Sequence, residues 1–164
     1  MSSIARIIAA KGVKVSGSDI KETKNLEDLR NLGIDIYIGH SPTNIKDADL
    51  VVYSSAISQD NPEIKEAERH NIPVIKRAKM LADLMKEKRV ITVTGAHGKT
   101  TTTSLISHLL LEAGLSPTVA IGGILRNLDS NAYLGESDFF VAEADESDGS
   151  FLYYNPDYSI ITNI

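Results

Sequence analysis

The chain has 164 residues, of which 42% are hydrophobic and 24% charged, and its formal net charge is −5. This composition is typical of a globular protein, and the acidic balance argues against a nucleic-acid-binding surface. The absence of cysteine excludes disulfides and thiolate metal sites. No stretch approaches the about 18 consecutive apolar residues of a membrane span, and the N-terminal apolar run is too short for a signal peptide. We therefore expect a cytoplasmic protein without membrane or nucleic-acid partners.

The first half of the chain alternates between helical and strand patterns. Its first helix places Ile4, Ile7 and Ile8 on one face, and Gly12 and Gly33 follow the first two helices. Short connections between alternating helices and strands predict a parallel sheet that is covered on both faces. The helices are predicted over residues 4–11, 24–32, 61–71 and 78–88, and the strands over residues 13–19, 34–39, 48–57 and 72–77.

The pattern restarts at Arg89, after a polar joint at residues 86–89, so we predict domains over residues 1–88 and 89–164. A buried type of strand at residues 89–94 leads through a loop into a helix at residues 100–113. Further strands are predicted at residues 117–123, ending in a glycine turn, and at residues 138–148 and 157–164, with a polar connection over residues 126–135.

The loop between residues 94 and 100 has the composition of a phosphate-binding site. Gly95 and Gly98 allow the backbone to approach a ligand, and the following helix presents its N–H groups and dipole to an anion. Lys99 adds a cation, and a hydroxyl in the position of Thr100 is the usual Mg²⁺ ligand of such loops. Val93 departs from the general pattern, which has a glycine there. A plain glycine turn with a solvated lysine is the alternative.

Acidic residues crowd the end of the strand predicted at residues 138–148. Strand ends line the ligand crevice of α/β sheets, and carboxylates near a phosphate loop suit Mg²⁺. An acidic surface turn is the alternative interpretation. The acidic residues are Glu143, Asp145, Glu146 and Asp148.

Weaker candidates lie at other strand ends and in the loop. Asp19 ends a predicted strand, where an acid can bind a ribose hydroxyl, and Ser54 and Ser55 end another strand. Turn formation or helix capping explains these three residues equally well. His97, inside the loop, can contact phosphate or substrate. The remaining histidines have no metal-ligand spacing; they are His40, His70 and His108.

Several motifs together resemble those of the Mur ligase family, the ATP-dependent ligases of peptidoglycan synthesis. In the second half they are GAHGKTTTTSLISHLL at residues 95–110, AEADESDGSFL at residues 142–152 and TNI at residues 162–164. In the first half they are VSGSD, the segment at residues 38–57 and the segment at residues 72–85. The resemblance implies a Rossmann-like parallel-sheet UDP-binding domain followed by the start of a P-loop-type α/β ATPase domain, both incomplete.

The family's reaction, as the resemblance implies it, joins L-alanine to the lactyl carboxylate of UDP-N-acetylmuramate through an acyl phosphate, with ATP and Mg²⁺ as cofactors. The resemblance also implies that the chain is a fragment, inactive by itself, which lacks a glycine-rich turn before Met1 and a metal-binding histidine after Ile164. One alternative is a ligase that adds a tripeptide to the same sugar nucleotide. Another is a non-catalytic nucleotide-binding fragment.

Residue roles follow from the resemblance alone. Lys99 is implied to be catalytic and to hold the β- and γ-phosphates, while Thr100 and Glu143 are implied to bind Mg²⁺. The phosphate-binding residues are Gly95, Ala96, His97, Gly98, Lys99, Thr100 and Thr101. The residues implied to bind the UDP-sugar are Asp19, Ser54, Ser55, Ala56, His97, Asn131 and Ser147.

Other protein classes explain less of the sequence. A dinucleotide-dependent dehydrogenase needs a glycine fingerprint in the first half, and residues 1–88 contain none. A simple P-loop kinase leaves residues 1–88 without a function. Folate-type ligases share the phosphate loop but, as a family, do not carry a UDP-binding half of this kind.

Overall fold

The computed structural model describes residues 1–125, 129–145 and 149–163. Contacts between Cα atoms divide the chain into two compact units, Met1–Met80 and Leu81–Ile164. Both units combine helices with parallel strands, which confirms the predicted α/β class. Within the described ranges, no helix is both long enough and apolar enough to cross a membrane.

The first unit is built from alternating helices and short strands. Its elements are α1 (Ser2–Ala10), β1 (Ser16–Asp19), α2 (Lys24–Asn31), β2 (Asp35–Ile38), a 3₁₀ helix (Pro42–Ile45), β3 (Val51–Tyr53), α3 (Pro62–Arg69) and β4 (Val74–Lys76), and α4 (Arg77–Met85) continues into the second unit. Strand β1 pairs with β2 and β3 pairs with β4, both in parallel. The predicted strands are all present, although each is shorter than its apolar pattern.

The helices of this unit bury the apolar stripes that the sequence predicts. Ile4 and Ile7 are buried on α1, and Leu26 and Leu29 are buried on α2. Helix α2 stops before Gly33, whose φ of 80° lies in the left-handed region that favours glycine. Burial of such side chains stabilises the fold by about 1.5–3 kcal/mol each.

The second unit is a five-stranded sheet with one long helix. Its elements are β5 (Arg89–Thr94), α5 (Lys99–Glu112), β6 (Thr118–Leu125), β7 (Ser130–Tyr133), β8 (Phe139–Glu143), a 3₁₀ helix (Ser150–Tyr153) and β9 (Tyr158–Ile161). The strand order is β7-β6-β8-β5-β9. Strand β5 lies inside this sheet and buries Val90, Ile91 and Val93.

The order of the strands brings three chain segments to one edge of the sheet. In the parallel pairing of β5 with β8, Val93 lies opposite Glu143, and in the pairing of β5 with β9, Thr94 lies opposite Ile161. Because these strands are parallel, their carboxyl ends lie at the same edge. The loop at residues 95–98, residues 144–145 and residues 162–163 therefore all leave the sheet there.

Two predictions for this unit are wrong. The segment at residues 126–135, predicted as a polar connection, contains β7, which pairs with β6 in antiparallel fashion and makes the sheet mixed. Only Ala132 of β7 is buried, so the strand depends on hydrogen bonding at the sheet edge more than on apolar burial. The predicted glycine turn at Gly122 and Gly123 is also absent, because β6 continues through both glycines to Leu125.

Candidate functional site

The phosphate-type loop connects the buried strand β5 to the N-terminus of α5. Gly95 is buried with a φ of 127°, and Gly98, the N-cap of α5, has a φ of 83°. The Gly98 carbonyl accepts a hydrogen bond of 2.9 Å from Thr102 N–H. Backbone N–H groups that precede the first such bond have no acceptor within a helix. The loop therefore places the N-terminal, electropositive end of α5 at the carboxyl ends of the parallel strands.

Lys99 folds back over this loop. Its Nζ donates a hydrogen bond of 2.5 Å to the Gly95 carbonyl, and the residue is half-buried. An ammonium group has three N–H donors, so Lys99 Nζ can keep this bond and also contact an anion. The cation thus lies next to the helix end that already favours negative charge.

The threonine run of α5 divides into three environments. The side chain of Thr103 is fully buried, and its Oγ1 donates to the Lys99 carbonyl at 2.8 Å. One turn later, Ser107 repeats this bond to the Thr103 carbonyl at 2.7 Å. Thr102 is half-buried, whereas Thr100 and Thr101 are exposed, with the Thr100 methyl group facing Gly123 of β6. The hydroxyl of Thr103 is therefore satisfied inside the helix and does not face a ligand.

Two consecutive glycines of β6 lie close to Thr100 and to Glu143. A Cβ atom at Gly123 would lie 2.6 Å from Thr100 Cγ2, and a Cβ atom at Gly122 would lie 3.1 Å from Glu143 Oε2. Larger residues at these positions would displace the hydroxyl-bearing and carboxylate side chains. The glycine pair therefore makes room for both predicted metal ligands against neighbouring residues of a single strand.

Glu143 is held in a setting that suits a cation. Its Oε1 atom is buried and has no hydrogen-bond partner among the described residues. A buried carboxylate oxygen without a donor is unfavourable, and Mg²⁺ prefers oxygen ligands. The residues that the structure describes contain no group of three or more His, Cys, Asp or Glu side chains that could hold a metal. Thr100 and Glu143 are therefore a small donor set, of the kind that Mg²⁺ uses beside phosphate oxygens.

Of the rest of the predicted acidic cluster, the structure describes only Asp145. Asp145 lies in the segment after β8, where Ser150 Oγ donates to its carbonyl at 3.0 Å and accepts from its N–H at 3.3 Å. These bonds engage the Asp145 backbone and order the turn. Glu146, Ser147 and Asp148 lie outside the described residues.

Thr162 and Asn163, the two residues after β9, contact the loop that follows the neighbouring strand β5. Thr162 Oγ1 donates to the His97 carbonyl at 2.6 Å, and Asn163 Nδ2 donates to the same oxygen at 2.9 Å. His97 N–H donates to Asn163 Oδ1 at 3.1 Å. His97 itself is exposed, as are Ala96 and Gly98. The imidazole is thus accessible, whereas the His97 backbone is already hydrogen-bonded.

The candidates of the first unit lie at strand ends, as expected from the sequence. Asp19 ends β1, is exposed, and accepts a hydrogen bond of 3.2 Å from Lys21 N–H. Ser54 follows β3, and its carbonyl accepts from Ile57 N–H at 3.0 Å in a turn that includes Ser55 and Ala56. In the described residues no hydrogen bond links Asp19 to this turn. In the second unit, Asn131 is half-buried on β7.

Sequence reasoning assigned no role to the residues that shape this site, namely Gly122, Gly123, Thr162 and Asn163. A pair of glycines inside an apolar strand is a signal of close approach by another group, and it was available for Gly122 and Gly123. Thr162 and Asn163 follow the last strand, and no local pattern reports that they reach a loop more than 60 residues earlier, as their hydrogen bonds at sequence separations of 65 and 66 show.

Comparison with known proteins places both halves in one family. The model of the Mur ligase family, catalytic domain, matches residues 1–89, and that of the Mur ligase middle domain matches residues 93–164. The UDP-N-acetylmuramate–L-alanine ligase of Aquifex aeolicus is 58% identical over 164 residues. These residues are 100% of this chain and 36% of that protein, so the chain spans little more than a third of this relative.

Solved structures agree with this assignment. The crystal structure of the UDP-N-acetylmuramate–alanine ligase MurC from Thermotoga maritima matches with a TM-score of 0.94 and 40% identity, over 99% of this chain and 38% of that one. The UDP-N-acetylmuramate:L-alanyl-gamma-D-glutamyl-meso-diaminopimelate ligase from Neisseria meningitides matches with a TM-score of 0.89 and 30% identity, over 99% of this chain and 56% of that one. The expected family and α/β architecture are confirmed.

Proposed function

The chain belongs to the Mur ligase family, and we propose that it supplies the UDP-sugar-binding and ATP-binding residues of a ligase that joins L-alanine to UDP-N-acetylmuramate. The L-alanine ligase named above is 58% identical to this chain over its full 164 residues, which favours this amine substrate. The observation that carries the proposal is the juxtaposition of the Gly95–Lys99 loop, Thr100 and Glu143 at one sheet edge. The proposed location is the cytoplasm.

The proposed reaction has two steps. The γ-phosphoryl group of ATP passes to the lactyl carboxylate, which gives ADP and an acyl phosphate. The amino group of L-alanine then attacks the acyl carbon, the carbon–oxygen bond to phosphate breaks, and the amide forms with release of inorganic phosphate and a proton. A carboxylate and a triphosphate, both anionic, must meet in the first step. Positioning and charge neutralisation are therefore what the protein has to provide.

The loop and the start of α5 provide positive potential for the phosphates. We infer that the N-terminal turn of α5 binds phosphate oxygens and that Lys99 Nζ contacts the β- and γ-phosphates, acting as the catalytic cation. The half-buried position of Lys99 supports this role, because charge interactions strengthen where water is excluded. The proposed phosphate-binding residues are Gly95, Ala96, His97, Gly98, Lys99, Thr100 and Thr101.

Thr100 and Glu143 fit a magnesium ion. When bound beside the phosphates, Mg²⁺ supplies charge neutralisation and Lewis-acid polarisation of the phosphoryl oxygens. Thr100 offers a hydroxyl oxygen in the first turn of α5, and Glu143 offers a buried oxygen that lacks a hydrogen-bond donor among the described residues. The glycine pair of β6 leaves room for both side chains.

We propose that the UDP-sugar is bound mainly by the first unit. Asp19 is exposed at the end of β1, where its carboxylate can accept a hydrogen bond from a ribose hydroxyl. The turn after β3 offers hydroxyl and backbone groups for the uridine end. The proposed UDP-sugar-binding residues are Asp19, Ser54, Ser55, Ala56, His97, Asn131 and Ser147.

One alternative retains the same sugar nucleotide with a different amine. The Neisseria ligase, whose name specifies a tripeptide substrate, shares the fold with a TM-score of 0.89 but only 30% identity. The Aquifex L-alanine ligase is nearly twice as identical, at 58%. We therefore propose L-alanine as the amine and keep the tripeptide as an outcome of the test.

The proposal is tested with the protein expressed from its complete gene. ATP, Mg²⁺, UDP-N-acetylmuramate and either L-alanine or the tripeptide are supplied, and the amide product is measured by mass spectrometry. We expect L-alanine to react, and we expect Lys99→Ala to lower the rate about 100-fold or more while UDP binding stays near normal. Lys86→Ala removes only an exposed lysine paired with Asp83 and is the matched control. Product formed from the tripeptide alone would support the alternative, and an unchanged rate for Lys99→Ala would refute the proposed phosphate site.

A further inference from the structure

The side chains of Thr162 and Asn163 hold the phosphate-type loop by its backbone. The Asn163 amide forms two bonds with a single residue, since its Nδ2 donates to the His97 carbonyl at 2.9 Å and its Oδ1 accepts from His97 N–H at 3.1 Å. Thr162 Oγ1 donates to the same carbonyl at 2.6 Å and lies 3.1 Å from the Thr94 carbonyl. The two side chains thus contact the loop near its start and at its centre.

The close contact with Thr162 leaves no room for a side chain at Gly95, the first residue of the loop. A Cβ atom at Gly95 would overlap Thr162 Oγ1 and would lie 2.9 Å from the Asn163 carbonyl oxygen. Gly95 also has a φ of 127°, which side-chain-bearing residues rarely adopt. The approach of Thr162 therefore requires the missing side chain of Gly95, and the backbone angle of Gly95 independently favours glycine there.

The Asn163 contact also decides which loop groups remain for a ligand. His97 N–H points to Asn163 Oδ1, so it is not directed at an anion in this conformation. The backbone N–H groups of the first turn of α5 precede the first intrahelical bond, and Lys99 Nζ lies over the same loop. The two side chains after β9 therefore fix the orientation of the His97 peptide.

We propose that Thr162 and Asn163 are positioning residues that hold the loop at residues 95–98 in its phosphate-binding conformation. They act through the His97 and Thr94 backbone and do not themselves contact the nucleotide. The inference rests on the proposed function, because it assigns to these residues the preorganisation of the same ATP site. Preorganised loops bind more tightly because less conformational entropy is lost when the ligand arrives.

If Thr162 and Asn163 only stabilised the fold, their replacement would lower the melting temperature of the protein. Asn163 and loop residues 96–98 are exposed, and Thr162 is only half-buried. Hydrogen bonds in such positions contribute little to the stability of the whole domain, because water replaces them when they break. Their loss should therefore appear in ATP affinity and leave the unfolding transition of the protein nearly unchanged.

The experiment measures binding of ATP·Mg²⁺ and of UDP by isothermal titration calorimetry, and melting temperature, in the protein from the complete gene. Asn163→Ala removes both bonds to His97. Thr162→Val removes the hydroxyl at nearly constant volume, and Thr162→Ser restores it. Ser159→Ala is the matched control, because it deletes a hydroxyl on β9, the strand that precedes Thr162. This hydroxyl contacts Thr92 Oγ1 at 3.2 Å and does not contact the loop.

We expect Asn163→Ala and Thr162→Val to bind ATP·Mg²⁺ about tenfold more weakly, the effect of losing one or two hydrogen bonds. UDP affinity and melting temperature should stay near wild type, and Thr162→Ser and Ser159→Ala should bind ATP normally.

The proposal is overturned if Asn163→Ala and Thr162→Val both bind ATP within twofold of wild type, or if Thr162→Ser binds ATP as weakly as Thr162→Val. If those variants bind ATP normally but Lys99→Ala weakens ATP binding, the proposed ATP site stands and only the positioning role of Thr162 and Asn163 is refuted. If the wild-type protein does not bind ATP, the proposed function fails and this inference fails with it.

Discussion

Ser18 and Glu63 are 45 residues apart in the sequence, yet Ser18 Oγ donates a hydrogen bond of 2.7 Å to Glu63 Oε2. Glu63 Oε1 also accepts bonds from Asn44 Nδ2 at 2.7 Å and from Ser41 N–H at 3.3 Å. Because the Ser18 hydroxyl hydrogen is used by Glu63, its contact of 3.0 Å with His40 Nδ1 requires His40 Nδ1–H as the donor. One carboxylate thus joins the end of β1, the segment after β2 and the start of α3.

We predict that Glu63→Ala lowers the free energy of unfolding by about 2–3 kcal/mol, because several half-buried donors lose their acceptor at once. UDP affinity should fall as well, since Ser18 directly precedes the candidate ligand Asp19. Urea denaturation at pH 7 and titration calorimetry measure the two effects. Glu66→Ala is the control on the same helix, because Glu66 pairs with the exposed Arg69 and His70. It should change stability by about 0.5 kcal/mol or less, and equal losses for both variants would contradict the prediction.

Gly123→Ala should impair the metal site without unfolding the protein. The added methyl group would lie 2.6 Å from Thr100 Cγ2, and rotation about χ1 of Thr100 relieves this clash at the expense of its hydroxyl position. We expect the Mg²⁺ concentration needed for half-maximal ligation to rise about tenfold, equivalent to about 1.4 kcal/mol.

The matched variant is Gly135→Ala, since a Cβ atom there would overlap the backbone of Ser116 and Pro117. Backbone atoms cannot rotate away, so this variant should lose about 2 kcal/mol or more of stability. Thermal melts of both variants separate the two outcomes. A Gly123→Ala protein with normal Mg²⁺ dependence would show that Thr100 is not a metal ligand.

Replacing Glu143 by glutamine tests the second proposed metal ligand. The change removes the carboxylate charge and keeps the shape, and it places an amide where Oε1 has no hydrogen-bond partner among the described residues. We expect ligation to fall at least tenfold at low Mg²⁺ and to recover partly as Mg²⁺ is raised, because a weaker ligand set needs more metal. Glu136→Gln, an exposed site in the same unit, should leave the Mg²⁺ titration unchanged. Loss of activity that no Mg²⁺ concentration relieves would instead favour a structural role for Glu143.

Limited proteolysis tests the predicted domain boundary at residues 88–89. Helix α4 ends at Met85, and Lys86 and Glu87 are exposed, whereas Lys88 Nζ donates to the Ser137 carbonyl at 2.9 Å. Arg89 lies over the Phe139 ring, with 4.7 Å from its guanidinium carbon to the ring centroid. We expect trypsin to cut first after Lys86, and mass spectrometry identifies the fragments. A first cut confined to residues 1–80 would place the boundary elsewhere.

Much of the fold follows from local patterns. The strand at residues 89–94 was predicted with its observed bounds, because a run of β-branched residues between a polar joint and a glycine loop has few other conformations. The helix predicted over residues 100–113 is observed over Lys99–Glu112. Strand β7 could not be predicted in this way, since Ser130–Tyr133 has one buried residue and depends on pairing with β6.

The chemistry of the candidate site was encoded locally, and its geometry was not. Glycines, a lysine and a threonine between a strand and a helix predict a phosphate loop from local sequence, because the loop and the helix end are neighbours in the chain. The sequence alone likewise indicated the α/β class and the acidic strand end that contains Glu143. Only the tertiary structure decided that Glu143 lies beside Gly122, that Thr100 lies beside Gly123 and that Asn163 holds His97. These contacts depend on the strand order β6-β8-β5-β9, and that order arises from pairing between segments that are distant along the chain, on which local periodicity carries no information.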